Sequence, residues 1–444
     1  MKVVIIGASF AGVAAALETR KRHPKAKIVL LEKQTTLAYI PNGLHLYWRN
    51  EIADLNEARF ITEEQLEESR IDYYLEANVK KINTSQKIIT YHYFGKYEMI
   101  AYDKLIIAAG SKQLSEKIKG SAQESVLKYK RYEEAEAALL KVKASERITI
   151  IGGGQVGIEA ADLLSTQKKK VTMIESMDYI MFKYLDEDMI QPIQRKMIDR
   201  GIDLKLGKTV STIDAVSDHE VNVHFADDSV TSESVIMSVN VRPHLPFLDT
   251  HIAQHTDQTI AVDRYLRTSI KDVFAVGDCI QLSGPDNDQV YIPLINNAVR
   301  TGIVAAANLN EPELEFKGSL RTIGTNVFGY YVASTGMTEG ESLFSNHKVK
   351  TTRQKIKLTS LQNANTVTVK WIYDAETHVL LGAQMISTVN ILEKINTLAL
   401  AIETRQTIED LQQKDYFFHP SYTQMIATTN LVSWMGERVD GDEG

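Results

Sequence analysis

The chain of 444 residues contains a single cysteine, so no disulfide can form within it. That usage is the one expected of a protein held in a reducing cytoplasm. Proline is sparse at nine residues and tryptophan sparser at three. No segment approaches the roughly 20 consecutive apolar residues of a membrane-spanning helix. The apolar N-terminus is interrupted by Gly7 and Gly12, which argues against reading it as a cleaved signal. A net charge of −7, from 50 basic and 57 acidic side chains, disfavours nucleic acid and acidic membrane surfaces as partners. Low-complexity segments are missing, no metal site is expected, and the length suits two or three domains.

What the chain does have is a repeated unit. The first copy reads KVVIIGASFAG, places Gly7, Ser9 and Gly12 at a turn, and closes at Glu32 in IVLLEK. The second reads ITIIGGGQVGIEAA, carries Gly152, Gly154 and Gly157, and closes at Glu175 in VTMIE. Each begins with a β-branched run that predicts a strand buried on both faces. The glycines allow a tight turn and close approach to a pyrophosphate. The helix starting near Phe10, and its later counterpart, would offer free N–H groups and a positive dipole end to those phosphates. Ser9 stands where the middle glycine is usual, and a small residue fits there. Glu32 follows Gly12 by 20 residues and Glu175 follows Gly157 by 18, positions from which a carboxylate can accept ribose hydroxyls. Glu175 would also repel a 2′-phosphate, and no Arg or Lys follows it before Lys183, which favours NADH over NADPH. The run Lys168–Lys170 reads as a solvated helix end. Two dinucleotides on one polypeptide narrow the chemistry to moving electrons between them.

Beyond Glu32 a charged, helical stretch is expected around residues 48–69, followed by extended segments ending in YDKLIIAAGS. Residues 112–119 look like a polar crossover into the second unit, which runs to about Val239. The segment VFAVGDC leads to a loop and the helix NNAVRTGIVAAANL. From about residue 321, segments such as TVTVKWIYD and VLLGAQMIS alternate as antiparallel strands do, with helices expected around 390–405 and 422–436.

These landmarks, in this order, resemble the flavin-dependent pyridine nucleotide–disulfide oxidoreductases. The resemblance is to the bacterial branch that contains NADH oxidases, NADH peroxidases and coenzyme A-disulfide reductases. It spans the whole chain through GASFAG, EKQTTLAYIPNG, YDKLIIAAGS, GGGQVGIE, YLRTSIKDVFAVGDC, YIPLINNAVRTG, ASTGMTE and DYFFHP. It implies an α/β fold with two Rossmann-like dinucleotide-binding domains of the three-layer ββα type and a C-terminal α+β dimerisation domain. Residues 1–111 and 241–320 would form the FAD-binding domain, 112–240 the NAD(H)-binding domain, and 321–444 the part that pairs a homodimer. On the FAD side the resemblance implies Gly7, Ser9, Phe10, Ala11 and Gly12 in the loop, with Glu32 and Lys33 at the ribose. Asn42, Ala109 and Gly110 would also bind FAD, and Asp278 would bond the ribityl chain. Ala298 would lie at a helix N-terminus aimed at the pyrimidine oxygen, where a positive end stabilises anionic reduced flavin. NADH would take Gly152, Gly154, Gly157 and Glu175, with Glu159 and Tyr184 flanking the nicotinamide's path to the flavin.

The chain departs from this pattern where the branch keeps its redox chemistry. The branch carries a redox-active cysteine before a glycine in the segment that here reads Tyr39-Ile40-Pro41-Asn42-Gly43, and Asn42 fills that position. Asparagine forms neither a sulfenic acid nor a thiolate. Where peroxidase-like members have a histidine in the first glycine loop, this chain has Phe10. The remaining thiol, Cys279, sits beside the ribityl contact and reads as a small buried hydrophobe. His419 in FFHPSY matches a His-Pro pair whose imidazole serves the partner protomer's site. It is either a proton carrier or a residue fixed by Pro420 at an interface turn, and the following SYTQ lacks the usual acidic partner. Phe417 and Phe418 either cover the partner's flavin or pack an interface. Asn240 replaces a glycine of the nicotinamide-side loop and could narrow that approach.

The candidate catalytic positions are therefore Asn42, Phe10 and His419. With no thiol relay, the expected reaction is hydride transfer from NADH to FAD and onward to dioxygen, giving hydrogen peroxide. Two alternatives stay open: an NADH reductase for a quinone or electron carrier, and a non-catalytic FAD-binding redox sensor.

Overall fold

The computed structural model describes residues 1–417 and 419, except 227, 240, 285–287 and 359–364. It forms two compact units, one of Met1–Ala144 with Val239–Ser319, the other of Ser145–Ser238 with the chain from Leu320 onward.

In the first unit the strand Lys2–Ile6 sits at the centre of a five-stranded parallel sheet. Lys27–Leu31 and Asp72–Tyr74 lie to one side, Lys104–Ile107 and Val273–Ala275 to the other. Val3, Val4 and Ile5 are fully buried, as a strand covered on both faces requires. Helix Phe10–Arg22 covers one face beside helix Ile295–Ala307. They approach so closely at Gly302 that a Cβ there would overlap the Ala11 carbonyl. The antiparallel sheet Asn78–Asn83, Ile88–Tyr93, Lys96–Ala101 contributes Val79, Ile82, Ile89 and Tyr91 to the same core. This is the three-layer arrangement expected.

The second unit repeats the design. Four of its strands, Asp203–Lys205, Lys170–Ile174, Arg147–Ile151 and Ser234–Met237, run parallel in that spatial order, beside a three-stranded antiparallel sheet over Val210–Ser232. The unit also contains a five-stranded antiparallel sheet ordered Ile323–Val327, Tyr330–Gly336, Leu380–Ser387, Thr366–Asp374, Val349–Lys357. Trp371, fully buried, packs there with Leu398 and Ala401 of helix Lys394–Glu403. The expected strands TVTVKWIYD and VLLGAQMIS are present almost residue for residue. Among the described residues no helix is long and apolar enough to cross a membrane.

The single helical stretch expected over 48–69 is three short pieces, Gly43–Trp48, Leu55–Glu57 and Glu63–Glu68. Asn50 at φ 57° follows the first piece and Arg70 at φ 53° the third. Asp54 and Thr62 each open a new piece with a capping box. Asn240, Phe418, Pro420, the SYTQ segment and the helix expected at 422–436 lie outside the described residues.

Candidate functional site

The two glycine turns have nearly the same conformation. Gly7 has φ 103° and Gly152 φ 105°, and a Cβ at Gly12 or Gly157 would overlap the carbonyl oxygen of Gly7 or Gly152 respectively. Only glycine permits that approach of helix to turn. Each closing carboxylate reaches back to its own turn. Glu32 Oε2 accepts from Ala8 N at 2.8 Å, and its Oε1 from Gln34 N at 2.9 Å. Glu175 Oε2 accepts from Gly153 N at 2.6 Å, while its Oε1 accepts from Met177 N and Ser176 Oγ, both at 2.9 Å.

The helices that leave these turns begin without side-chain caps. Ser9 and Gly154 are extended N-cap residues making no side-chain cap bond, and neither first turn carries an acid. Thr62, Thr338 and Thr407, by contrast, cap their helices through complete capping boxes with acids in the first turn. An uncapped N-terminus leaves N–H donors and a positive dipole end for an external anion. A Cβ at Gly154, the N-cap of the second helix, would meet nothing within 4 Å, and the same holds at Gly110, past the strand Lys104–Ile107 that pairs with Lys2–Ile6. These residues fit a dinucleotide pyrophosphate at each turn. Lys33 is exposed, and Ala11 is buried in the helix beside Gly12.

Farther along the first unit, Ser111 Oγ donates to Asp278 Oδ2 at 2.7 Å, and Lys130 Nζ lies 2.6 Å from Ser111 Oγ and 3.2 Å from Asp278 Oδ2. Tyr291 OH donates to the Asp278 carbonyl at 2.9 Å. Burial, reinforced by Asp278, raises the Tyr291 pKa well above the usual phenol range. The sequence singles out Asp278 as a candidate but neither Lys130 nor Tyr291, because no motif links three such distant segments. Ala298 lies in the first turn of helix Ile295–Ala307, but its N–H donates to Leu294 O at 3.0 Å. The donors that helix geometry leaves without an intrahelical partner belong to residues ahead of it.

Phe10 stacks on Phe60 with ring centroids 3.9 Å apart and planes 14° from parallel. Asn42 has φ 67° and ψ 18°, and forms the N-cap of helix Gly43–Trp48. Asparagine accepts this left-handed conformation better than most side chains. Just beyond it His45, buried, shares a 3.1 Å hydrogen bond between its Nε2 and Tyr129 OH. Cys279 is fully buried, its Sγ donating to Val276 O at 3.0 Å, and burial pushes its pKa up to about 12. His419 is exposed.

In the second unit Glu159 Oε1 accepts from Thr325 Oγ1 at 2.6 Å and Gln155 Nε2 at 3.1 Å. Tyr184 is half-buried, with the Arg321 guanidinium 6.0 Å from its ring centroid. Burial raises the Tyr184 pKa, and Arg321 partly opposes the shift.

A family model described as pyridine nucleotide-disulphide oxidoreductase matches residues 1–302, and one described as that family's dimerisation domain matches 324–430. The chain belongs to the pyridine nucleotide-disulphide oxidoreductase family and is an enzyme. It is 30% identical to an NADH oxidase of Enterococcus faecalis over 439 residues, covering 98% of each chain. A crystal structure of a pyridine nucleotide-disulfide family oxidoreductase from Enterococcus faecalis V583 shares 40% identity, 98% of both chains and a TM-score of 0.89. The water-forming NADH oxidase from Lactobacillus brevis, bound to NADH, shares 28% identity at a TM-score of 0.93, covering 98% of this chain and 97% of that one.

Proposed function

We propose that this flavoenzyme oxidises NADH with dioxygen and releases hydrogen peroxide, without cysteine redox chemistry. The observation that carries the reading is the replacement of the family's thiol position by Asn42, in a chain whose only thiol, Cys279, is buried and held protonated. Bound FAD supplies a two-electron centre that accepts hydride from NADH and gives the electrons to dioxygen, in the balance NADH + H⁺ + O₂ → NAD⁺ + H₂O₂. Four-electron reduction to water would consume a second NADH per dioxygen and needs a group to reduce the peroxide. Neither Asn42 nor Phe10 can be that group.

The chain's residues divide the remaining work. The turn Gly7–Gly12 and helix Phe10–Arg22 take the FAD pyrophosphate, and Glu32 takes its ribose. Asp278, oriented by Ser111 and charge-balanced by Lys130, accepts from the ribityl chain. Gly152, Gly154, Gly157 and Glu175 take NADH, with Glu159 and Tyr184 at the nicotinamide end. Phe10 stacked on Phe60 presents an apolar surface that supplies no proton. The match to the dimerisation domain supports a homodimer.

The test is an anaerobic NADH titration of the yellow protein, followed by air and a peroxide assay. One NADH per flavin should bleach the protein, and air should restore it with one peroxide per NADH consumed. Peroxide well below that ratio, with two NADH oxidised per dioxygen, would refute the product. Rapid reoxidation only by a quinone or electron carrier would replace dioxygen as acceptor.

A further inference from the structure

Glu159 bonds to the five-stranded antiparallel sheet of its own unit, and Tyr184 lies beside Arg321, two residues before that sheet's strand Ile323–Val327. Thr325, buried on strand Ile323–Val327, donates its hydroxyl to Glu159 at 2.6 Å. Arg321, just before that strand, holds Glu341 through paired bonds of 2.6 and 2.5 Å and lies against the Tyr184 ring. Two residues past Tyr184, Asp186 N donates to Gln384 Oε1 at 2.9 Å, and its carboxylate accepts from Gln384 Nε2 at 2.7 Å. Lys370, with a side chain only 4% exposed, ties Asp186, Asp188 and Glu339 together at 3.1, 2.9 and 2.6 Å. The sheet thus meets this segment through directed polar bonds. Apolar packing would support the helix equally well, but it would leave a carboxylate free to turn. A side chain held in one rotamer before binding loses less entropy when ligand arrives.

We propose that Thr325 is a positioning residue for NADH. Its hydroxyl fixes the carboxylate of Glu159, so the sheet matched to the dimerisation domain takes part in receiving the dinucleotide. The inference rests on the placement of Glu159 at the nicotinamide end given above. Arg321 beside Tyr184 and the Lys370 cluster at Asp186 hold the neighbouring segment in the same manner.

Steady-state kinetics of the FAD-loaded enzyme decide the matter, with flavin content and thermal midpoint recorded for every variant. Thr325→Val removes the hydroxyl with little change of volume. It should raise KM for NADH about tenfold and leave kcat within about twofold, as loss of uniform binding does. Thr325→Ser, which keeps the hydroxyl, should restore KM, and adding Thr325→Val to Glu159→Ala, which leaves no acceptor, should cost nothing further. A merely structural role would lower the thermal midpoint without this split or this rescue, and that result overturns the proposal. An unchanged KM in Thr325→Val, beside a raised one in Glu159→Gln, overturns the positioning role and leaves the site standing. Unchanged kinetics in Glu159→Gln overturn both the inference and the placement of Glu159. Should Thr325→Val fail to accumulate folded, Thr325→Ala reads the same quantity without a methyl pressed against the carboxylate.

Discussion

Cys279 offers the sharpest check on chemistry without a thiol. Its Sγ is fully buried and donates to Val276 O at 3.0 Å, with Ile107 O at 3.3 Å. Burial pushes its pKa up to about 12. At pH 8 the thiolate fraction is then about 10⁻⁴, against roughly a quarter for an unperturbed cysteine with a pKa of ~8.5. Because the thiolate is the reacting species, alkylation should be slowed about 2,000-fold before burial itself is counted. Native protein incubated with N-ethylmaleimide at pH 8 should stay unlabelled by mass spectrometry and keep its full NADH oxidation rate. The same protein in guanidinium should take one equivalent promptly. Cys279→Ala should lower stability by about 1 kcal/mol, typical of a small core truncation, and leave kcat within about twofold. Rapid labelling of the native protein with parallel loss of activity would refute the argument, as would a folded, flavin-loaded Cys279→Ala that no longer turns over NADH.

Other expectations concern the acids and the ring stack. Glu175→Gln sets an NH2 against either Gly153 N or Met177 N, so KM for NADH should rise by at least about tenfold, measured by initial rates, as charge-assisted bonds are lost. Phe60→Ala should uncover Phe10 and cost about 2 kcal/mol in urea denaturation, less than a fully buried phenylalanine because both rings are partly exposed. The Asp374 pKa is lowered by the Thr377 N–H, then by His347, and that of Asp249 by Thr84 and His251 against its burial. A depressed folded pKa stabilises above the unfolded value, so this stability is intact at neutral pH and drains away below about pH 4. Asp374→Asn should flatten the acid limb of an unfolding-versus-pH curve, and an unchanged limb would remove that carboxylate from the account.

The repeated fingerprint made the two α/β layers legible, because glycine spacing, β-branched runs and closing acids are all local signals. Strands Thr366–Asp374 and Leu380–Ser387 were equally plain from their alternation. The charged stretch around 48–69 is helical only in short pieces, because Asp54 and Thr62 start new helices within it, and its helical composition hides those breaks. Lys130, Thr325 and Lys370 could not be found, since each acts on a partner 148 to 184 residues away. An ion pair or hydroxyl contact across such a separation leaves no periodic mark. Phe10 stands out in the sequence for what it replaces, but its stacking on Phe60, fifty residues on, exists only in the fold.

Glu32 and Glu175 grip their turns in the same way but are left with different capacities. An ionised carboxylate offers about four lone-pair positions. Two donors occupy Glu32, Ala8 N and Gln34 N, which leaves both oxygens able to take a further hydroxyl. Three occupy Glu175, so it keeps about one position for a ribose. Under the assignment proposed above, the first turn is furnished to keep a permanent tenant and the second to host a visitor. The third donor, which makes the difference between the two carboxylates, is the Ser176 hydroxyl.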